Sequence, residues 1–274
     1  MEKLTLKVYA KINFKLDILG KLDDGYHSLD MLMSSCDLYD EIIAEKSAQN
    51  EVYMDGVLQG NKNTASKALA LLSMAYGYKL KVQIKKHIPM CAGVGGSSAD
   101  AAAVFFAYSR LYAIDLEYMT KLALSVGSDV VYMLKGGWAR VRCKGEIISP
   151  LEIEDTITMV IAQKVPGAAT QDVYKAYDNV GRVVEEEFTI LNSHRVFNVL
   201  QKPAIALCKE IQETIDDLKK YSNRVFMTGS GSAVCAIFDS ESEAKACLNS
   251  LDDGYAFKQV VKTLPYGMEI LDEQ

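Results

Sequence analysis

A chain of 274 residues, 49% of them hydrophobic and 24% charged, can bury a large core and has room for one or two domains. Its formal charge of −6, with no basic run or aromatic-interleaved basic patch, excludes a nucleic-acid surface and leaves anions to local backbone and a few lysines. Six scattered cysteines without a Cys-x-x-Cys pair and three histidines without metal-ligand spacing argue against a disulfide framework and a zinc site, and with no signal peptide or apolar span of about eighteen residues in view we expect a cytoplasmic protein without a membrane partner.

Leu4, Leu6, Val8, Ala10, Ile12, Phe14 and Leu16 alternate with polar positions and predict a half-buried first strand. Its other face carries Lys7, Tyr9, Lys11, Asn13 and Lys15, and a solvated outer face is the plainer reading of that row. Asp23 to Leu29 reads as a tight turn about Gly25, with Tyr26 and His27 beside it offering a stackable ring and an imidazole suited to a flat heterocycle. Strands are predicted over 31–36, 40–45, 51–54 and 79–86, and a helix over 63–76.

The segment from Ile88 to Ala103 is the most informative. Gly93, Gly95, Gly96, Ser97 and Ser98 lie between a strand-like run and a nearly unbroken apolar run from Ala101 to Leu111. Glycines let successive N–H groups turn toward one point, and a helix starting at Ser97 or Ser98 would aim its positive end there, which describes a phosphate cradle. The plainer reading is a capped helix, because Ser97 to Asp100 fits a capping box. No Lys-Ser or Lys-Thr pair follows, so the loop is not a Walker A loop. Too much chain precedes it for a Rossmann fingerprint.

Beyond it, a helix is predicted over 116–126, and Asp129 after Gly127-Ser128 suits a helix cap. Gly136-Gly137 leads to a strand ending near Pro150, and a domain boundary is expected about 150–155, dividing residues 1–152 from 153–274. The second half predicts a strand over 158–163 and helices over 170–177, 188–200 and 204–220. A strand over 233–239, a helix over 241–251 and a strand over 256–263 complete it. Thr228-Gly229-Ser230-Gly231-Ser232 is a second glycine turn, read most plainly as a strand-entry turn.

Pro89 with Gly93-Val94-Gly95-Gly96-Ser97-Ser98-Ala99 resembles the nucleotide loop of the GHMP kinases. Ala10-Lys11-Ile12-Asn13, Asp24-Gly25-Tyr26-His27, Gly127-Ser128-Asp129-Val130, Gly145-Glu146-Ile147 and Thr228 to Ser232 extend the resemblance, in the family's order, across nearly the whole chain. It implies an α+β fold: an N-terminal α+β domain related to a ribosomal-protein fold and a C-terminal ferredoxin-like α/β sandwich. It also implies an ATP- and Mg²⁺-dependent kinase acting on a small-molecule alcohol, working as a monomer or homodimer. Asp129 would be the catalytic base with Lys11 as its partner. Pro89, Met90, Cys91, Ala92, Gly93, Val94, Gly95, Gly96, Ser97, Ser98 and Ala99 would wrap the ATP phosphates, Ser98 would face the metal, and Asn63 would lie on the adenine side. Asn13, Tyr26, His27, Thr170, Tyr174, Gly229 and Ser230 would bind the alcohol, with Tyr26, His27 and Tyr174 against a cytosine. The Asp-Gly-Tyr-His turn points to the branch that phosphorylates the 2-hydroxyl of cytidine-diphosphate methylerythritol on the route to isoprenoid precursors. Tyr174 suits a helix core equally well. Another kinase of the family, for homoserine, mevalonate or a sugar, and a non-catalytic nucleotide or metabolite sensor remain alternatives. Ser97 in place of a Gly, Ala99 in place of a Ser, Val131 in place of a Pro, and the basic stretch Arg140 to Lys144 depart from the family pattern.

Overall fold

Strands β1 (Lys3–Lys21) and β2 (His27–Lys46) run antiparallel along almost their full lengths, turning at Gly25 with φ +84°. This computed structural model describes residues 1–274. The two segments predicted over 31–36 and 40–45 are parts of the one strand β2. The polar face of β1 is not solvated as expected: Lys11 is 4% and Asn13 1% exposed. Both faces of the strand are covered, so its side-chain alternation marks a site on one side and core on the other. Register shifts at Tyr9/Ala10 and Asn13/Lys15 flank these two residues, the local twist that bulges bring next to functional groups.

Beside β2 lie β3 (Glu51–Met54), β4 (Val57–Leu58) and β5 (Leu80–Lys85). Helix α1 (Thr64–Tyr76) is capped by the Asn63 side chain, which accepts from the Ala65 and Ser66 amides, and is ended by Gly77 at φ +84°. Helices α2 (Gly96–Tyr112), α3 (Leu116–Val126) and α4 (Ser128–Lys135) follow, α4 being unforeseen. Helix α2 is the central one; Ala101, Ala102, Ala103, Val104, Phe105 and Tyr108 are all fully buried, as a helix apolar on every side must be. Strands β6 (Ala139–Cys143) and β7 (Ile147–Pro150) pack against β2 as a hairpin.

The second half opens with β8 (Thr158–Gln163) and α5 (Thr170–Val180). Residues 188–200, predicted as a helix, form β9 (Phe188–Ile190), a 3₁₀ turn and β10 (His194–Asn198), because Asn192 and Ser193 take positive φ and break the run. The helix predicted over 204–220 is two, α6 (Gln201–Leu207) and α7 (Glu210–Lys219), separated at Cys208. Strands β11 (Val225–Met227) and β12 (Val234–Phe238), helix α8 (Glu241–Ser250), and strands β13 (Phe257–Leu264) and β14 (Met268–Glu273) complete the chain.

Strands β8, β11, β12 and β13 are antiparallel in the order β13-β8-β12-β11 and are connected as β-α-β-β-α-β, the ferredoxin-like arrangement, with α7 and α8 packed on them. The last strands then return to the first half. Thr263 and Leu264 of β13 pair with Cys36 and Ser35 of β2, and β14 pairs with β1. A continuous sheet of 14 strands results, and a cleft opens where the two halves meet.

Candidate active site

The glycine loop decides between cap and cradle. Gly95, at φ +78°, is the N-cap of α2 and supplies no side chain. Ser97 and Asp100 do not form a capping box; Asp100 turns away to accept from Lys86 Nζ at 2.8 Å. The first amides of α2 are therefore left without a side-chain acceptor at the positive end of a 17-residue helix, an anion site by construction. The helix starts at Gly96, just ahead of the expected Ser97 or Ser98.

The loop is held from two sides. Lys11 donates its backbone N–H to Val94 O at 3.0 Å and its ammonium to Gly93 O at 2.7 Å. The Cys91 carbonyl accepts from Gly167 N at 2.9 Å, Ser232 N at 3.2 Å and Gln163 Nε2 at 3.3 Å. Gly93 and the second glycine turn touch: a Cβ on Gly93 would lie 2.4 Å from Thr228 O, and one on Gly229 would lie 2.3 Å from Gly93 O. The turn at 228–232 is thus a lid against the first loop as well as a strand entry. Asn198, buried on β10, fixes it by donating to Met227 O and Gly229 O, each at 2.8 Å.

Lys11 Nζ lies 3.7 Å from Asp129 Oδ2 and also donates to Asn13 Oδ1. Asp129 does not cap α4, whose N-cap is Gly127 without a side-chain bond; its carboxylate is 34% exposed, into the cleft. Val131, buried in the core, fills the position where a Pro was expected and leaves Asp129 facing Lys11. Burial pushes the Lys11 ammonium below its ordinary pKa, and the Asp129 carboxylate opposes that fall.

Under the loop stands a cluster that sequence reading missed. Lys86 bonds both Asp40 and Asp100, while Asp40 Oδ1 accepts the His87 and Ile88 amides at 2.6 and 2.9 Å. Asp100 Oδ1 is buried with no partner. Burial pushes the Asp100 carboxyl up to about 7; Lys86 pulls it down and Asp40 adds to the rise. The signal was available: Asp40 falls in phase with the buried Leu38, Ile42 and Ala44, and Asp100 interrupts a row of alanines.

On the opposite wall, the His27 ring lies 5.0 Å from that of Tyr174, tilted 34°, and Tyr177 meets it edge-on at 6.0 Å. Tyr26 is 63% exposed beside them, with Lys144 Nζ 5.0 Å from its ring centre. Tyr174 is half-buried against the core and lines the cleft. Thr170 Oγ1 and Ser230 Oγ lie 2.9 Å apart and join α5 to the glycine turn. Two cations of the basic stretch are paired locally: Arg140 bonds Asp30 at 2.7 and 3.1 Å, and Lys144 bonds Asp24. Although Asp30 is largely buried, Arg140 and Lys15 hold its carboxyl below the ordinary range.

The cleft encloses about 1060 Å³ and is lined by Lys11, Asn13, Tyr26, His27, Asn63, Pro89 to Ser98, Asp129, Thr170, Tyr174, Gly229 and Ser230. Ala99 alone among the expected residues is not there; it is fully buried in the first turns of α2. Asn63 reaches the cleft with its carbonyl oxygen already used as the α1 cap. No helix is long and apolar enough to cross a membrane.

Residues 63–139 match the family model of the GHMP kinases N terminal domain, and residues 184–256 that of the GHMP kinases C terminal domain. The chain is 31% identical over 280 residues to the 4-diphosphocytidyl-2-C-methyl-D-erythritol kinase of Clostridium perfringens (strain 13 / Type A), covering 95% of this chain and 97% of that protein. The protein of the same name from Caldanaerobacter subterraneus subsp. tengcongensis is 32% identical over 293 residues, covering 98% of this chain and 100% of its own length. A solved 4-(cytidine 5'-diphospho)-2C-methyl-D-erythritol kinase superposes with a TM-score of 0.78 at 26% identity, over 95% of this chain and 99% of that one. A homoserine kinase from Cytophaga hutchinsonii, at 14% identity and a TM-score of 0.69 over 99% and 98% of the two chains, shares the fold.

Proposed function

The chain belongs to the GHMP kinases, ATP-dependent enzymes of small molecules, and we propose that this one phosphorylates the 2-hydroxyl of 4-diphosphocytidyl-2-C-methyl-D-erythritol. One observation carries the reading: an aromatic wall of Tyr26, His27 and Tyr174 shares a single cleft with the Lys11–Asp129 pair and the open amides of α2. Kinases for homoserine, mevalonate or a sugar act on alcohols without a base and have no use for such a wall. An intact lysine–carboxylate pair at 3.7 Å counts against a sensor that has lost catalysis.

Phosphoryl transfer through a loose transition state needs positioning, charge neutralisation and an acceptor for the hydroxyl proton. Asp129 takes that proton. Lys11, bonded to Asn13 and Gly93 as well, orients the carboxylate and steadies the nucleophilic oxygen. Pro89 to Ser98 wrap the phosphates with backbone amides, and Thr170, Gly229 and Ser230 close on the alcohol. Mg²⁺ keeps water and phosphate oxygens as most of its ligands and asks little of the protein. The Ser98 hydroxyl, in the cleft at the start of α2, would hold such an ion. When bound, the ion neutralises charge across the phosphates. The same proposal divides the chain into an ATP-binding unit over 1–152 and a second unit over 153–274, and makes the protein a cytoplasmic enzyme acting as a monomer or homodimer.

The test is an ATP-consumption assay with the cytidine substrate, its uridine counterpart, mevalonate and homoserine. Turnover confined to the cytidine compound is expected. Turnover of mevalonate or homoserine in its place would overturn the substrate and leave the kinase.

A further inference from the structure

Resting on the reading that a cytosine lies against His27, we propose that Asp178 sets which pyrimidine the site accepts, by fixing the His27 ring proton on Nε2. His27 Nε2 lies 2.6 Å from Asp178 Oδ1, and Lys21 Nζ donates to the other carboxylate oxygen at 2.9 Å. Lys21 first, and His27 second, hold the Asp178 carboxyl below its ordinary pKa, so it is ionised at neutral pH. An ionised carboxylate only accepts, and Nε2 must therefore carry the hydrogen. The ring is packed on two sides, Tyr174 covering one and Tyr177 meeting it edge-on.

With the hydrogen held on Nε2, the imidazole form of the ring carries its lone pair at Nδ1. Cytosine offers an exocyclic amine that donates to such a lone pair. Uracil carries a carbonyl oxygen at that position, and the two lone pairs would face each other. Tyr174 and Asp178 are four residues apart on α5 and share one of its faces, so one helix supplies both the plane and the proton position. Asp178 touches no reacting atom; it is a positioning residue acting through His27. The competing role is a tether, an ion pair that ties the β1–β2 hairpin to α5 through Lys21 and His27.

Calorimetric titration of the full chain with CDP and with UDP separates these roles. The wild type should prefer CDP by about tenfold or more, the scale set by an unpaired polar group in a closed site. Asp178→Ala frees the ring to change tautomer, and CDP affinity should fall about tenfold while UDP affinity changes little, bringing the ratio toward one. Asp178→Asn keeps an oxygen that accepts from Nε2–H and should retain part of the preference. ATP affinity in both variants reports that the fold is intact. An undiminished CDP-to-UDP ratio in Asp178→Ala, or equal losses for both nucleotides, would reduce Asp178 to the tether. No preference in the wild type would overturn the inference too, while the kinase reading would still stand or fall on the phosphorylation assay.

Discussion

Asp129, in the first turn of α4, and Asp100, in the second turn of α2, have opposite fates. Asp129 opens into the cleft against Lys11, where the proposed mechanism has it accept the hydroxyl proton. Asp129→Asn keeps the shape and removes the acceptor, and kcat should fall by about 10²–10⁴ with both substrates still binding. Lys11→Met should act similarly; near-normal turnover in either variant would return the pair to a structural role. Asp100 is sealed beneath the loop, and its raised pKa makes it a pH-dependent burden. The carboxyl moves from 3.8 to about 7, so its favourable contribution is complete below pH 3.8 and is lost as pH rises to about 7. Asp100→Asn should gain stability over the wild type at about pH 8 relative to about pH 5, read from urea unfolding midpoints. A difference that is the same at both pH values would show that the cluster does not titrate in this range. Residues that line the cleft were legible where they formed ordered motifs, as with Lys11, Tyr26, His27 and Asp129. Asp40, Lys86 and Asp178 were not, because each acts through a partner far away in sequence, and only the fold brings the two together.

Elements with a clean period were legible: β1, α1, α3 and α8 were found within a few residues. The run from Phe188 to Leu200 misled because its apolar spacing admits a helix, while the break at Asn192 and Ser193 shows only in their left-handed backbone. Strand β14 escaped because it is an exposed edge whose apolar and acidic residues do not alternate, held by pairing with β1 and by the Tyr9 to Glu269 bond. Strand β10 matters more than its five residues suggest, since Asn198 at its end carries the glycine turn. Asn198→Ala leaves two buried carbonyls unpaired and should cost about 1–3 kcal/mol of stability. Denaturant unfolding measures it; a loss of only a few tenths would mean that the turn is held by its own Gly231 to Thr228 bond.

At the scale of the whole molecule, the α+β class and the ferredoxin-like order of the second half follow the expected pattern. The joining of the halves into one sheet was not legible, because strand partners across more than two hundred residues leave no mark in local periodicity. The net charge of −6 gives no general pull on anions, so the cleft depends on oriented amides and the few cations at its walls.

The Cys91 carbonyl, shared by Gly167, Gln163 and Ser232, makes one peptide group a common fastening for the nucleotide loop and the far half of the chain. A nucleotide that stiffens residues 91–96 must also quiet the backbone that grips them. Amide hydrogen exchange at Gly167 and Ser232 should therefore slow on adding ATP, and unchanged exchange there would mean that the two segments open independently. The coupling runs both ways: whatever ATP lends to the alcohol's half, the alcohol returns to ATP in equal measure.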